Sequence, residues 1–453
     1  MVPFTPAAVT EPARPVRHRL PSTLSPLEVL LSLRDHTAPT ALVGSWDLGP
    51  LVTSAPLALV DERSGLDPFA LMETLPRLTE PPPGPGFVGG GWIGGLGFPL
   101  DGTLERLPPL PHRPIPRPTW SLAYHDHVLR YDRTEGTWWF EALWTEERAA
   151  AIEARRSELA RRLAAPPSPR RPVRLRDPRA TPSAEAHRTA VAEIVERIGA
   201  GDVYQVNLCL RIDADLEGDG IDLFARTAGA LAPTRGAYVH HPGALHAASL
   251  SPELFLRREG RHVRTSPIKG TAPRSVGAAE LSASVKDRAE HVMIVDLMRN
   301  DLGRVCRPGT ITVPALVRAE PHPGLWHLVS DVVGELADDA GDADLLRATF
   351  PPGSVTGAPK VAATATIHEL EASARELYTG AIGMVSPTAG LELSVAIRTF
   401  ELDGRRAWLG VGGGIVADST PDGELAECLT KAWPLLAAAG VDGAPRLTAD
   451  SAV

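Results

Sequence analysis

The spacing of apolar residues changes repeatedly along the chain, and each change marks an element. Residues 27–33 (LEVLLSL) predict a short helix and residues 57–60 an extended run. Residues 81–100 open on a proline turn and continue as a glycine-rich strand. Residues 119–143 alternate as a hairpin with its turn at 132–136. Residues 146–163 read as a strongly charged helix, mostly a solvated face. An amphipathic helix at 185–198 is stopped by Gly199 and Gly201, and a strand follows at 203–212. Short extended segments alternate with turns over 237–267, as in an antiparallel meander. Helices are predicted at 282–299, 344–350, 359–370 and 421–438, the first with Ser284 three residues before Asp287 as in a capping box. Strands are predicted at 381–385, 392–400 and 407–412. Strands grouped in hairpins, with helices set apart, indicate an α+β fold and not a parallel α/β sheet.

The chain divides into five stretches. Residues 1–22 are rich in Pro and Arg and read as a disordered N-terminus. Residues 23–163 form an N-terminal region and residues 184–440 a denser catalytic region. Residues 164–183 are Pro/Arg-rich without periodicity and read as a connector, and residues 441–453 read as a tail.

Charged residues make up 22% and apolar residues 43%, as in ordinary globular proteins. A net charge of −9 argues against a nucleic-acid partner, whose binding needs a positive surface. No run of about 18 apolar residues encodes a membrane span, and the first residues lack the apolar core of a signal peptide. Cys209, Cys306 and Cys428 are scattered and show no zinc-ligand spacing. They fit a reduced, cytoplasmic location.

One count changes the picture. Of 46 basic residues only four are lysines: Lys269, Lys286, Lys360 and Lys431. Arg and Lys are interchangeable as solvated charges, but not where a compact or deprotonatable amine is needed. For Lys286 and Lys360 chance retention explains the residue as well as function does. In Thr265-Ser-Pro-Ile-Lys-Gly-Thr, Pro and Gly suggest a tight loop that holds Lys269 at a strand end. A lysine desolvated there becomes a nucleophile, and Glu253, sixteen residues earlier, suits a general acid.

Glu424, Glu427 and Lys431 share one face of the last predicted helix. Spacing alone favours a salt bridge on a solvated face; the alternative is an oxygen site for a hard cation beside an ammonium. Glu290 lies on a face that turns apolar one helical turn later. That fits an ordinary amphipathic edge as well as a ligand.

The motifs GDVYQVNL (201–208), SPELFL (251–256), PIKGTAPR (267–274), KDRAEHVMIVDLMRNDLGRV (286–305), HLVS (327–330), PPGSVTGAPK (351–360), YTGAIG (378–383), AIRT (396–399) and GGGIVADSTPDGELAE (412–427) follow one another in order. They resemble the chorismate-utilising enzyme family over residues 184–438. The resemblance implies an α+β fold of two large antiparallel β-sheets packed face to face with helices outside, and an active site in the cleft between them. Members that add water to chorismate carry a lysine where this chain has Gln205, and members of the anthranilate and isochorismate branches carry alanine where it has Lys269. Gln205 with Lys269 therefore resembles the aminodeoxychorismate synthases. The rivals are an anthranilate-type or other chorismate enzyme, and a silent chorismate-binding subunit.

The same resemblance implies the roles. Lys269 would be the nucleophile and Glu253 the general acid. Glu290 and Glu427 would ligate Mg²⁺ with Glu424 close to it, which overturns the blander reading of both acidic helices. Tyr378, Arg398 and the amides of Gly413 and Gly414 would hold one substrate carboxylate, and Lys431 would neutralise the ring carboxylate. Gln205, Thr271 and His327 would line the substrate. Chorismate, ammonia and a glutamine amidotransferase subunit are the expected partners. Where the family reads Asp-x-Asn before AIRT, this chain has Glu392-Leu-Ser394.

Overall fold

The computed structural model describes residues 7–273, 277–322, 325–443 and 445–447. Two sheets dominate. Thirteen strands form the first, whose centre is the pairing of Arg235–His241 with Leu245–Ser251, then Thr399–Asp403, Arg406–Ile415 and Gln205–Glu217. Ten form the second, in which Leu254–Glu259 pairs with Gly390–Val395, and that strand with Ala381–Ser386. The described strand pairings are antiparallel except one, a two-residue strand Arg446–Leu447 running parallel to Arg174–Thr181, and an isolated bridge between Ala13 and Leu78 is also parallel. The α+β expectation holds.

Burial explains the layering. Val29, Leu30, Phe224, Leu425 and Leu435 from helices pack on the outer face of the first sheet, and Ile294, Met298, Leu345 and Leu346 on that of the second. A third cluster (Leu42, Trp46, Ile93, Val128, Val239, Ile382, Met384) fills the space between sheets. The glycine-rich run forms the strand Gly91–Leu96. A side chain at Gly95 would meet Leu245 Cδ2 and Leu377 Cδ1 at 2.9 Å, so its absence allows the close packing. Among the described residues no helix is long and apolar enough to cross a membrane.

Several expectations are corrected. Residues 14–20, read as disordered, form the edge strand Arg14–Leu20 paired with Thr137–Trp144. Arg17 reaches Glu141 at 2.8 Å and lies over Trp139, and Arg14 lies over Trp144, so the arginines cover the sheet instead of solvating a tail. The connector 164–183 ends in the strand Arg174–Thr181, anchored by buried Leu175 and Ala180. The tail returns to pair with that strand. Residues 119–143 hold three strands: Trp120–His125 belongs to the second sheet, His127–Asp132 and Thr137–Trp144 to the first. The 392–400 run is two strands, broken by Arg398 at φ 52°. Lys269 lies inside the strand Ile268–Pro273, not in a loop. The helix predicted at 282–299 runs Val285–Gly303; Ser284 precedes it directly and also ends the helix Ala278–Ala283, and the Asp287 side chain of the expected capping box lies outside the described residues. The hairpin Thr312–His322 with Leu325–Glu335 was not predicted.

Glu392, the departure from the family pattern, has a structural task. It is fully buried, pairs with Arg235, and accepts the amides of Asp47 and Leu48 at 2.9 Å. Glu392→Ala leaves a buried guanidinium and two amides unsatisfied. Its expected cost is about 3–5 kcal/mol, read as a lowered urea midpoint. An unchanged midpoint would show the contacts to be dispensable.

Candidate active site

The site is built where the chain passes from one sheet to the other. Leu245–Ser251 lies in the first sheet and Leu254–Glu259 in the second, and Glu253 sits on the crossing. Gly390–Val395 and Thr399–Asp403 make the reverse crossing, and Arg398 sits on that one. Two backbone bonds tie the crossings together: Leu250 N–H donates to Arg398 O at 2.9 Å, and Val395 N–H to Glu253 O at 3.1 Å.

Glu253 is buried, and burial pushes its carboxyl up to about 7 against the opposing pull of Ser354, Lys269, the Ile268 amide and Arg398. Arg398 is lowered, first by burial, and Glu253 opposes that shift. Lys269 is half-buried, open to the cleft, and its Nζ donates to Ser354 O at 3.2 Å. Burial lowers its pKa most, Lys431 lowers it further, and Glu253, Glu290 and Glu427 oppose. The predicted acid, two of the predicted metal ligands and Lys431 therefore act on the predicted nucleophile. His291, fully buried next to Glu290, is pushed down to about 4 by burial and then by Lys269, so it faces the amine uncharged.

The last helix, Pro421–Ala438, starts at Thr420, whose side chain caps Gly423 N–H, with Pro421 at its first position. It brings its acids to the strand Arg406–Ile415. A Cβ at Gly413 would lie 2.9 Å from Glu424 Oε2 and 3.6 Å from Glu427 Oε1, so both carboxylates converge there. Glu424 Oε1 accepts from Ser419 at 2.5 Å. Lys431 pairs with Glu427 at 2.7 Å, the half-exposed i,i+4 bridge that spacing alone suggests, and also donates to Gly412 O at 2.9 Å. Among the described residues no three His, Cys, Asp or Glu side chains gather as a ready cation sphere.

On the row of that strand that alternates with Gly413, Gln205 lies against Gly414, Cys209 against Gly412 and Tyr378 against Gly410. Gln205 is buried and its Oε1 accepts no described hydrogen bond. Tyr378 is also buried, with its hydroxyl 3.7 Å from Cys209 Sγ. Thr271 pairs in register with His327, which is buried. The Thr271 side chain lies outside the described residues.

Sequence reasoning missed Ser354 and His291 as site residues. Both lie inside quoted motifs, but only the three-dimensional path of the chain brings them to Lys269. Lys360 proves structural: it pairs with Asp301 at 2.5 Å and donates to Thr349 O at 2.7 Å. A cavity of about 750 Å³, lined in part by Asp47, Arg257, His262, Arg264 and Glu335, contains none of the predicted site residues.

Comparison with known proteins identifies the family and the fold. The family model described as chorismate binding enzyme matches residues 53–437. The chain is 38% identical to aminodeoxychorismate synthase component 1 of Salmonella typhimurium over 374 residues, covering 80% of this chain and 79% of that one. It is 36% identical to anthranilate synthase component 1 of Streptomyces coelicolor over 402 residues, covering 83% and 78%. Among solved structures, anthranilate synthase component I from Streptococcus pneumoniae superposes with a TM-score of 0.73 at 25% identity, covering 94% of this chain and 93% of that one. The menaquinone-specific isochorismate synthase of Escherichia coli shares the fold, with a TM-score of 0.71 at 18% identity, covering 94% and 95%. The chain belongs to the family of chorismate binding enzymes.

Proposed function

We propose that this chorismate enzyme is the aminating component of an aminodeoxychorismate synthase, making 4-amino-4-deoxychorismate from chorismate and ammonia. The observation that carries the reading is the desolvated Lys269 amine beside a Glu253 acid raised to about 7. Burial favours the neutral amine and the protonated acid, the states the reaction needs. Gln205 supports the same reading, because an amide cannot take a proton from water.

In this mechanism the Lys269 lone pair bonds to ring carbon 2. The two conjugated ring double bonds shift together, the carbon 4–oxygen bond breaks, and Glu253 gives its proton to the departing hydroxyl, released as water. Ammonia then bonds to carbon 4 and returns one proton to Glu253, both double bonds move back, and the carbon 2–nitrogen bond breaks to free Lys269. Arg398 and Tyr378, with the amides near Gly413 and Gly414, bind one substrate carboxylate, and Lys431 neutralises the ring carboxylate. Thr271 and His327 line the ring side. The oxygen-only acids converging near Gly413 fit a hard divalent cation. Glu290 and Glu427 would hold magnesium, with Glu424 close by, and it would supply positive charge for the ring carboxylate.

Ammonia would come from a separate glutamine amidotransferase subunit. Cys428 Sγ lies 4.0 Å from His187 Nε2, the nearest approach to a glutaminase pair among the described residues. Its protonation is wrong for that chemistry: burial pushes the thiol up to about 12 and the imidazole down to about 4. Burial also raises Cys306, to about 11, and Cys209. The comparable identity to anthranilate synthases keeps amination at carbon 2 as the second reading.

Mass spectrometry of the product from chorismate, Mg²⁺ and ammonium salt tests the proposal; anthranilate as sole product would refute it. With ammonia the pure chain should turn over, and with glutamine alone it should not; equal use of glutamine removes the partner. Chorismate and Mg²⁺ without ammonia should leave an adduct on the Lys269 peptide. Lys269→Arg and Lys269→Ala should form none and lose nearly all aminodeoxychorismate synthesis, because a guanidinium stays charged and is a poor nucleophile. Glu253→Gln should lower kcat by about 10²–10⁴. Glu290→Ala and Glu427→Ala should each weaken the Mg²⁺ dependence of chorismate binding; a titration like wild type would take that residue out of the metal site.

A further inference from the structure

One row of the strand Arg406–Ile415 carries three glycines, and each makes room for a polar side chain. A Cβ at Gly410 would lie 2.3 Å from Cγ and Cδ1 of Tyr378, one at Gly412 2.5 Å from Cys209 Sγ, and one at Gly414 1.9 Å from Gln205 Nε2. Cys209 and Gln205 come from the neighbouring strand Gln205–Glu217, where Cys209 pairs with Gly412. Hydrogen bonds run along the row. Asn207 Nδ2 donates to Cys209 Sγ at 3.2 Å, and the thiol meets the Tyr378 hydroxyl at 3.7 Å, within the longer reach of sulfur. The backbone under the thiol is fixed as well: Cys209 N–H donates to Glu371 Oε1 at 2.9 Å, and Glu371 accepts from Arg375 at 2.7 Å. Asn207, Cys209, Glu371, Arg375 and Tyr378 are all buried. Burial raises the thiol and the phenol alike, so each keeps a hydrogen to give. At the end of the row the buried Gln205 Oε1 accepts no described hydrogen bond, an acceptor left for a ligand or water.

We propose that Cys209 is a positioning residue for substrate binding: its thiol, supported by Asn207, donates to the Tyr378 oxygen and turns the Tyr378 O–H toward the substrate carboxylate. The proposal rests on the reading above that Tyr378 holds that carboxylate. The argument is a count of hydrogens. An S–H and an O–H share one contact, and either can be its donor. An ionised carboxylate has no hydrogen, so Tyr378 binds it only by donating outward. The thiol is then the donor left for the contact. Asn207 occupies an acceptor site on the sulfur, which leaves the S–H for the phenol. An apolar side chain at 209 would take that donor from the Tyr378 oxygen and free the O–H to rotate.

The test is a cycle of Cys209→Ala, Tyr378→Phe and the double variant. Each is read as kcat and KM for chorismate loss at saturating ammonia and Mg²⁺, with the product identified by mass spectrometry. A carboxylate contact kept from the bound substrate through the reaction is uniform binding, so its loss raises KM and spares kcat. Tyr378→Phe should raise KM roughly tenfold or more, and Cys209→Ala about three- to tenfold, with kcat within about twofold of wild type. In the Tyr378→Phe background Cys209→Ala should add nothing, because the thiol acts only through the phenol. A damaged fold would instead lower kcat and the urea midpoint and leave KM in place. An unchanged KM in Cys209→Ala overturns the proposal, and so does an equal rise in both backgrounds. An unchanged KM in Tyr378→Phe takes Tyr378 off the carboxylate and the proposal with it. If Cys209→Ala does not fold, Cys209→Val, which fills the space without a donor, must raise KM in the wild type and not in Tyr378→Phe. A wild type that turns chorismate into another product would refute the aminating reading, and the cycle would still decide Cys209.

Discussion

The cleft depends on two chain crossings between the sheets, bonded to each other. At 251–254 and 395–399 the backbone leaves one sheet for the other, and the bonds Leu250–Arg398 and Val395–Glu253 lock the two passages side by side. A strand interior would point alternate side chains to opposite faces. A crossing can instead aim a side chain along the gap between sheets. Glu253 and Arg398 use that freedom, and Arg398 adopts a positive φ that a strand residue would not. Such strain in a non-glycine residue persists only where the surroundings fix it, here the paired crossings.

Placing charges in a seam between sheets has an electrostatic consequence. In the state the proposed mechanism needs, Lys269 neutral and Glu253 protonated, the fixed charges left around the amine and the acid are Lys431 and Arg398 against Glu290 and Glu427, with Glu424 beside Glu427. The cations do not outnumber the acids. A substrate with two carboxylates would add negative charge to a cleft that has no surplus of positive charge to receive it. The proposed magnesium answers that deficit, since two acids that repel a dianion become a support for it once a divalent cation lies between. The same acids oppose the lowering of the Lys269 pKa, so neutralising them would make the amine more readily neutral as substrate arrives.

Much of this was legible in sequence where local rules dominate. The helix predicted at 421–438 matches Pro421–Ala438 because its cap and its first-turn proline are local signals. The turn at 132–136 matches for the same reason. Misreadings came from tertiary partners. Arg14–Leu20 and Arg174–Thr181 look like solvated basic tails until tryptophans or a neighbouring strand are supplied. Residues 119–132 alternate without interruption, and nothing in the alternation says that the chain changes sheet at Asp126. Within the site, Lys269 stood out because lysine is rare here, and Glu253, Glu290 and Glu427 stood out through family resemblance. Ser354 carried no signal of its own, since its carbonyl meets Lys269 across 85 residues of chain.

Two of the four lysines show what separates a structural amine from a reactive one. Burial lowers the pKa of both Lys269 and Lys360. Lys360 has a carboxylate in direct contact, Asp301 at 2.5 Å, and a second bond to Thr349 O. The contact opposes desolvation, and the pair joins the helix Val285–Gly303 to the helix Lys360–Leu370. Lys269 makes its hydrogen bond to a neutral carbonyl, and a cation, Lys431, adds to the push of burial. Desolvation is common to both; the partner at the nitrogen decides the proton. In the proposed mechanism, a peptide carbonyl in place of a carboxylate at hydrogen-bond distance is what leaves Lys269 free to act as a nucleophile.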